Sequence, residues 1–582
     1  MVLLFLRERT ENELSYRNND YTPYKTFCQQ SSLSPRPLSP HISPYLPISP
    51  LSGELEGSGS WRDLVVRGGA VLFLILALAS CSVDIPQNAS QSDSLPHITP
   101  DYSNTVIPPN IAPLNFQILD EADAYVTRFF GEQGDDIIVE GKEVQIAVDK
   151  WHSLLNANRG GTLQVDVFLK RGDDWTQCQT LSMEVAEEDI DEWISYRLIE
   201  PSYVDYEQIS INQRNLTNFD EQVIYSNQPL SDGDKGQCVN CHNYRNYNHS
   251  NEWQMHVRET LGGTVIVQNG KAQKVNLKTD STRSAGVYPA WHPTENLIAY
   301  SVNSTGQVFH TRDPQKIEVI DFGSDLVLYD IDGSRVFTVS ALADEYESFP
   351  AWSPDGSMLY YTSAHYVQKS DNIDAELDSA YESLKYNICK RRFNPKTMQF
   401  TVADTVFNAR QMGKSASLPR ISPDGKYLLF GLADYGNFHI WHKSSDLWVM
   451  NLKTDSIYAL KEANSEETES YHTWSSNGRW IIYSSRRDDG NYTRPYICYF
   501  DKNGTAHKPF ILPQKSTKFY QQLFKSFNVP EFMVQPVTIS RRQLLKTVRG
   551  ASHPVSFAGS ASDSSSSSSQ LSIPEIKNQI HY

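Results

Sequence analysis

Two cysteines and a histidine, in the stretch Cys238-Val239-Asn240-Cys241-His242, have the residue types and the spacing to hold a haem. In a C-x-x-C-H sequence each thiol can add to a haem vinyl group, and the adjacent imidazole can bind the iron as an axial ligand. The sequence therefore predicts one covalently attached haem c, with Cys238 and Cys241 as attachment residues and His242 as the proximal ligand.

A second axial ligand would come from the residues that follow, and Met255 and His256 are the candidates. Ligation by methionine and histidine raises the reduction potential of a haem and suits electron transfer. Because side chains alternate along a strand, only one of the two can point toward the iron. The predicted iron ligands are therefore His242 with Met255 or His256.

Two other uses of the same cysteines stay open. In an oxidising compartment Cys238 and Cys241 can form a disulfide. Together with His242 and His249 they would also make a Cys₂His₂ set for zinc. Zinc is less expected outside the cytosol, where thiols oxidise.

The sequence contains no constellation that predicts hydrolysis. It lacks the G-x-S-x-G motif that carries the serine of an α/β-hydrolase, and no pair of carboxylates stands out. Asp355 and Asp424 precede glycines, where a role in a tight turn explains them. We therefore predict no catalytic residue, and a protein that is not an enzyme unless it transfers electrons.

Residues 65–80 form a short apolar run behind a flank that carries Arg62 and Arg67. The run is shorter than the roughly 20 residues of a transmembrane helix and fits the apolar region of a secretory signal. Its ending, Leu78-Ala79-Ser80-Cys81, resembles the lipobox of bacterial lipoproteins. The resemblance implies cleavage before Cys81, lipid on its thiol, and a lipid-anchored protein of the bacterial cell envelope, at the outer membrane or facing the periplasm. A signal anchor that stays uncut is the alternative.

The residues before this signal, 1–64, are rich in serine, proline and leucine and would hinder export. We interpret them as a leader that comes from a start codon placed too far upstream, with Val65 or Val66 as the true initiator.

The charge of the chain limits its partners. The 582 residues include 52 Lys and Arg against 69 Asp and Glu, a formal net charge of −17. Since no long basic run is present, nucleic acid is not a predicted partner. The scattered Cys178, Cys389 and Cys498 are expected to be buried small apolar residues.

A repeat organises the second half of the chain. Four segments resemble one another: Tyr288-Pro289-Ala290-Trp291, Phe349-Pro350-Ala351-Trp352, Leu418-Pro419-Arg420-Ile421 and Tyr471-His472-Thr473-Trp474. Each leads into a turn, and three of the turns are Asp-Gly or Asn-Gly, which tolerate the positive φ of tight hairpins. An apolar β run and a second hairpin follow each turn. Two hairpins make a four-stranded sheet, and such sheets stacked radially make a β-propeller.

Over about residues 285–512 these repeats resemble those of TolB-type β-propellers, with departures at His292, Glu295, Ile421 and Ser476. The resemblance implies an all-β protein with a six-bladed ring. A further outer hairpin at 262–277, with inner strands at 196–198 and 208–211, gives at least five blades. A sixth would close the ring with strands from both ends of the chain.

The predicted organisation is a signal peptide, a linker, a small β-sandwich-like module, a propeller of five to six blades with C-x-x-C-H in an insertion, and a C-terminal helix with a disordered serine-rich tail. The corresponding residues are 65–80, 81–111, 112–190, 191–515 and 516–582, with the insertion at 238–242, the helix at 519–524 and the serine-rich stretch at 559–569. The predicted function is a membrane-anchored scaffold that binds a ligand, an envelope protein or a glycan. The alternative is a monohaem protein that transfers electrons or senses redox state.

Overall fold

Within the described part of the chain the strands form eight β-sheets, two in an N-terminal module and six in a propeller. The computed structural model describes residues 84–200, 208–230, 238–310 and 315–561. None of the helices in these ranges is both long and apolar enough to cross a membrane.

Three predicted features lie outside the described residues: the leader (1–64), the signal peptide (65–80) and the lipid-accepting Cys81. Most of the serine-rich stretch at 559–569 also lies outside them. Its first residues do not, and they contribute to an ordered strand that ends at Ser560.

The N-terminal module consists of one seven-stranded sheet, one three-stranded sheet and one helix. Its elements are β1 (Ser90–Gln91), β2 (Ile98–Thr99), β3 (Val106–Ile107), β4 (Phe116–Ile118), β5 (Ala124–Phe130), β6 (Ile137–Glu140), β7 (Glu143–Val144), α1 (Val148–Ala157), β8 (Thr162–Arg171), β9 (Asp174–Gln177) and β10 (Leu181–Val185). Strands β2, β4 and β7 make the smaller sheet.

Two predictions about this module are wrong. Residues 81–111 are not a linker from Ser90 onward, because β1 pairs with β9 and β3 pairs with β10. The alternating apolar residues at 144–148 predict a single strand, but β7 ends at Val144 and α1 begins at Val148. The helix buries Trp151, Leu154 and Leu155, whose i, i+3, i+4 spacing places them on one helical face.

The propeller strands follow in chain order. They are β11 (Trp193–Ile199), β12 (Ser210–Asn215), β13 (Glu221–Ser226), β14 (Val239–Tyr244), β15 (Trp253–Val257), β16 (Gly263–Gln268), β17 (Lys271–Asn276), β18 (Val287–Trp291), β19 (Leu297–Phe309), β20 (Ile317–Asp330), β21 (Arg335–Ser340), β22 (Glu345–Trp352), β23 (Met358–His365), β24 (Asn387–Asn394), β25 (Gln399–Phe400), β26 (Asp404–Phe407), β27 (Ser415–Ile421), β28 (Tyr427–Ala433), β29 (Asp446–Asn451), β30 (Ile457–Ala459), β31 (Glu469–Trp474), β32 (Trp480–Ser485), β33 (Arg494–Tyr499), β34 (Phe510–Ile511) and β35 (Ser526–Met533). The helices among them are α2 (Ile373–Ala380) and α3 (Phe519–Gln522).

Six antiparallel sheets serve as the blades. Blades 2 to 6 are β14–β17, β18–β21, β22–β26, β27–β30 and β31–β34, each with its first strand innermost. Blade 1 takes its innermost strand, β35, from the C-terminal part of the chain and its outer strands, β11–β13, from the N-terminal part. The innermost strands contact one another in sequence around the ring, and β35 touches both β31 and β14. The predicted closure by strands from both ends is confirmed.

The assignment of the early strands needs correction. The predicted inner strands at 196–198 and 208–211 supply residues to β11 and β12 of blade 1, not to the blade of the hairpin at 262–277. That hairpin pairs instead with β15, which in turn pairs with β14, so the C-x-x-C-H stretch contributes the innermost strand of blade 2 and is not an insertion. The propeller also continues past residue 515, because β35 is part of it.

The Asp-Gly turns form as predicted. Gly356 and Gly425 have φ of 70° and 71°, the left-handed region that glycine adopts without strain. The Asp355 carboxylate accepts hydrogen bonds from the Ser353 hydroxyl at 2.5 Å and from the Ser357 N–H at 3.0 Å. These bonds explain Asp355 as a turn residue.

Every innermost strand contains a β-bulge at the same place. In each blade three residue steps of the innermost strand oppose two steps of its neighbour, as from Ser348 to Ala351 in blade 4. The bulged residue has a positive φ between 47° and 52° in all six strands, although none is glycine: Cys241, Tyr288, Phe349, Leu418, Tyr471 and Val529. We call these six residues the channel ring.

The chain after blade 1 forms a strap across the outer edges of the next blades. It comprises α4 (Arg541–Arg549), β36 (His553–Pro554) and β37 (Ser556–Ser560). Strand β36 pairs with β17 of blade 2, and β37 pairs with β21 of blade 3. The predicted tail is thus largely an ordered element up to residue 561.

Candidate functional site in the central funnel

A cavity of about 490 Å³ opens at the centre of the propeller, on the face where the innermost strands end. Its wall receives one residue from the same position of each blade, two residues after the channel ring: Asn243, Ala290, Ala351, Arg420, Thr473 and Glu531. We call this cavity the funnel and these six residues the funnel row. The repeat fold therefore delivers six equivalent side chains to one space.

The funnel row has a polar side and an apolar side. Going around the ring, Arg420, Thr473, Glu531 and Asn243 come from the consecutive blades 5, 6, 1 and 2. Blades 3 and 4 contribute the methyl groups of Ala290 and Ala351. Proline rings at 293 and 354 also border the cavity. A bound molecule would meet charged groups on one side and small apolar groups on the other.

Glu531 carries an ionisable group within this polar side. The Nδ2 of Asn243 donates to its Oε1 at 3.1 Å. Burial raises the pKa of Glu531 to about 7, and the Asn243 bond, the Arg420 guanidinium and the backbone of Tyr244 each oppose that rise. The carboxyl group consequently changes its charge near neutral pH.

Arg420 is the opposite charge on the polar side. Its Nη1 donates a hydrogen bond to the carbonyl oxygen of the preceding residue, Pro419, at 3.0 Å. Burial lowers the pKa of Arg420, and Glu531 partly opposes this effect. Neither Arg420 nor Glu531 takes part in an ion pair among the described residues. Two unpaired charges of opposite sign thus border the same cavity.

The channel ring lies deeper along the same strands. The rings of Tyr288 and Phe349 meet with centroids 4.4 Å apart, and Phe438 packs 5.7 Å from Phe349. Leu418 and Tyr471 join the same apolar cluster. This cluster narrows the channel on the inner side of the funnel.

The C-x-x-C-H residues take repeat positions in blade 2. Cys241 is the channel-ring residue of that blade and is buried. His242 occupies the next position, which is proline in blades 1, 3, 4 and 5 and His472 in blade 6. Cys238 precedes the strand and is half-buried. Neither Cys241 nor His242 lines the funnel.

His242 packs where two blades meet. The Nε2 of its counterpart His472 lies 2.7 Å from the Leu418 carbonyl, on the channel-ring residue of the preceding blade. For His242 the channel-ring residue of the preceding blade is Val529. Burial lowers the pKa of His242 to about 3, and the backbone of Val529 partly opposes this fall. Neither ring nitrogen of His242 makes a full hydrogen bond among the described residues.

As folded, these residues do not fit a covalently attached haem. The Cys241 side chain stands at a strained backbone position inside the wall, and the His242 ring is 2% exposed. A haem on both thiols with His242 on its iron would need the volume that blades 1 and 2 now fill. The covalent haem predicted from the sequence is therefore untested, and the burial of Cys241 and His242 argues against it.

The other predicted iron ligands do not gather around His242. Met255 lies in the apolar cluster between blades 1 and 2 and is fully buried. His256 follows it in β15, where alternation turns it to the other face, and its Nδ1 lies 3.1 Å from the Thr264 hydroxyl. Burial lowers the pKa of His256 to about 3. Whether Met255 or His256 serves as an iron ligand stays untested.

The disulfide and zinc alternatives concern the state of the cysteine thiols. Cys238 and Cys241 are free thiols, as are the buried Cys178, Cys389 and Cys498. Within the part of the chain that the structure describes, no three His, Cys, Asp or Glu side chains are arranged to hold a metal ion.

The sequence prediction missed the funnel row. Arg420 lies in one of the predicted repeats, at the position where two other blades have alanine. A charged residue at that repeat position was the sequence feature that could have indicated a site. Asn243 and Glu531 stood in segments that were not recognised as repeats. Asn243 directly follows the Cys238–His242 stretch, which matches a haem motif, and Glu531 lies after the last predicted blade.

Comparisons with known proteins give distant structural similarities. No protein-family model and no curated protein matches the chain. Among solved structures, an oligogalacturonate lyase from Vibrio parahaemolyticus is 14% identical over 67% of this chain and 94% of the lyase, with a TM-score of 0.29. The tricorn protease is 13% identical over 62% of this chain and 35% of that protein, with a TM-score of 0.30. A puromycin-hydrolyzing peptidase from Mycobacterium tuberculosis is 10% identical over 54% and 46%, with a TM-score of 0.32.

The match thus spans less than half the length of the tricorn protease and of the puromycin-hydrolyzing peptidase. It assigns neither a substrate nor a reaction to this chain.

Proposed function

We propose that this chain is an exported, lipid-anchored β-propeller that binds a small polar ligand in its funnel. The observation that carries the proposal is that Arg420 and Glu531, two charged residues without an ion-pair partner among the described residues, line the wall of a 490 Å³ cavity. Removing a charge from water costs free energy unless a partner compensates it. A ligand with complementary polar groups would supply that partner, and the volume suits a small molecule.

The test is to fill the funnel. Ala351→Trp places an indole on the apolar side of the funnel row, whereas Ala403→Trp adds the same group at an exposed position of the same blade. Protein purified from its native host is denatured, and the released small molecules are identified by mass spectrometry. We expect a ligand from the wild type and from Ala403→Trp, and none from Ala351→Trp. Equal release from all three proteins, or from none, would contradict the proposal.

The membrane anchor is tested separately at Cys81. Wild-type protein should incorporate labelled palmitate and sediment with membranes. Cys81→Ala should lose the label and become soluble, while Cys238→Ala should keep both properties. If Cys81→Ala sediments with membranes unchanged, the anchor lies elsewhere.

Three further predictions accompany this proposal. The partner class derived from the sequence, an envelope protein or a glycan, and the monohaem alternative both stay predictions. The expectation that the chain is not an enzyme also stays a prediction, because the similar folds include peptidases and a lyase.

A further inference from the structure

The polar side of the funnel separates its two charges. Arg420 is in blade 5 and Glu531 is in blade 1, and Thr473 of blade 6 lies between them in the funnel row. Each charge affects the pKa of the other, so they share one electrostatic environment. They nevertheless form no direct ion pair among the described residues. The gap between them can receive one molecule that carries both signs of charge.

We infer that the funnel binds a short zwitterionic peptide, with its carboxylate on Arg420 and its ammonium group on Glu531. The inference rests on the proposed function and specifies its ligand. A guanidinium matches a carboxylate with two parallel N–H donors. A carboxylate held by Asn243 is a suitable acceptor for an ammonium group. Small side chains of the peptide would pack on Ala290 and Ala351.

Binding of the ammonium group requires Glu531 to be ionised. Its pKa is raised to about 7, so the carboxylate fraction falls below that pH. The titratable or charged groups around it are Arg420, Tyr244, Tyr247 and, on the funnel wall, His249. Affinity should therefore fall by up to about tenfold per pH unit below pH 7 and level off above it.

The experiment is calorimetric titration of the purified full-length protein with defined probes. These are trialanine, N-acetyl-trialanine, trialanine amide and glucuronate. We expect trialanine to bind and each blocked peptide to bind at least tenfold more weakly. Arg420→Gln should no longer distinguish trialanine from its amide. Glu531→Gln should no longer distinguish trialanine from its acetylated form, and its binding should lose the pH dependence.

Matched controls are Arg410→Gln and Glu132→Gln, which remove the same charges at exposed positions. Both should bind trialanine as the wild type does. A pH dependence that persists in Glu531→Gln and disappears in His249→Gln would overturn the role of Glu531. Failure of trialanine to bind the wild type would overturn the inference.

The outcome also separates this inference from the proposed function. If glucuronate and N-acetyl-trialanine bind as well as trialanine, and both need Arg420, the ligand is a simple carboxylate. The funnel would then still be a binding site, but not one for a zwitterion. Loss of native ligand in Ala351→Trp tests the funnel independently of any probe.

Discussion

Six non-glycine residues of the channel ring hold a positive φ at the same place in six strands. Such a conformation costs on the order of 1 kcal/mol or more for a residue with a Cβ atom. The bulge that it creates is followed two residues later by the funnel row. At the residue scale, a repeated local strain is therefore linked to the position of the side chains that line the cavity.

Glycines in the Asp-Gly turns differ in what surrounds them, which allows a matched test. Gly356 and Gly425 have nearly the same φ, but a Cβ on Gly356 would lie 2.3 Å from Cε1 of His292, whereas nothing lies within 4 Å at Gly425. We expect Gly425→Ala to cost about 1 kcal/mol of unfolding free energy from backbone strain, and Gly356→Ala to cost about 1–3 kcal/mol more. Chemical denaturation measures both. Equal losses would show that the His292 contact relaxes freely.

Haem attachment is also decided at the residue scale. Because Cys241 and His242 fill repeat positions inside the wall, we expect protein from a host with cytochrome c maturation machinery to lack covalent haem. Haem staining and an absorption spectrum of the wild type check this. Staining that disappears in the Cys238→Ser, Cys241→Ser double variant would show that blade 2 rearranges around a haem.

At the scale of elements, ring closure depends on β35. Its Phe527 is 1% exposed and packs with its ring centroid 4.8 Å from that of Tyr196 on β11. In the strap, Phe557 on β37 is 40% exposed. The two phenylalanines therefore separate the contribution of the closing strand from that of the strap.

We expect Phe527→Ala to lower the unfolding free energy by about 3–5 kcal/mol, because it opens a cavity between blade 1 and its neighbours. Phe557→Ala should cost less than about 1 kcal/mol. Thermal and denaturant unfolding of the two variants provide the comparison. Similar losses would mean that β37, not only β35, holds the ring together.

At the scale of the whole molecule, the propeller buries neutral histidines. Burial lowers the pKa of His242, His256, His439 and His472 to about 3. In the unfolded chain a histidine takes up a proton near pH 6.5. The unfolded state therefore binds more protons than the folded state between about pH 6.5 and 3. Each such ring makes the protein less stable as the pH falls through that window.

The buried His256 provides a quantitative test of this effect. His256→Asn keeps a polar group beside Thr264 but removes the titration. We expect the slope of unfolding free energy against pH, between pH 6.5 and 5, to decrease by about 1 kcal/mol per pH unit. His553→Asn, which changes an exposed histidine of the strap, is the control. An unchanged slope in His256→Asn would mean that water reaches its ring in the folded protein.

The sequence by itself determined the local structure of the blades. Asp-Gly and Asn-Gly turns need the positive φ that they adopt, and apolar runs after them form strands whose alternation buries one face. These are interactions among near neighbours in the chain. They were sufficient to predict hairpins and four-stranded sheets, whereas the six-bladed ring was implied by the resemblance to TolB-type propellers.

Only the tertiary structure decided where the functional residues stand. Asn243 and Glu531 are far apart in the chain, and they meet because β35 closes the ring beside β14. The sequence of Cys238–His242 fits both a haem-attachment motif and a divergent copy of the blade repeat. Its burial between two blades distinguishes them, and burial depends on strands that lie hundreds of residues away. The funnel exists because six separate strands place equivalent side chains around one axis.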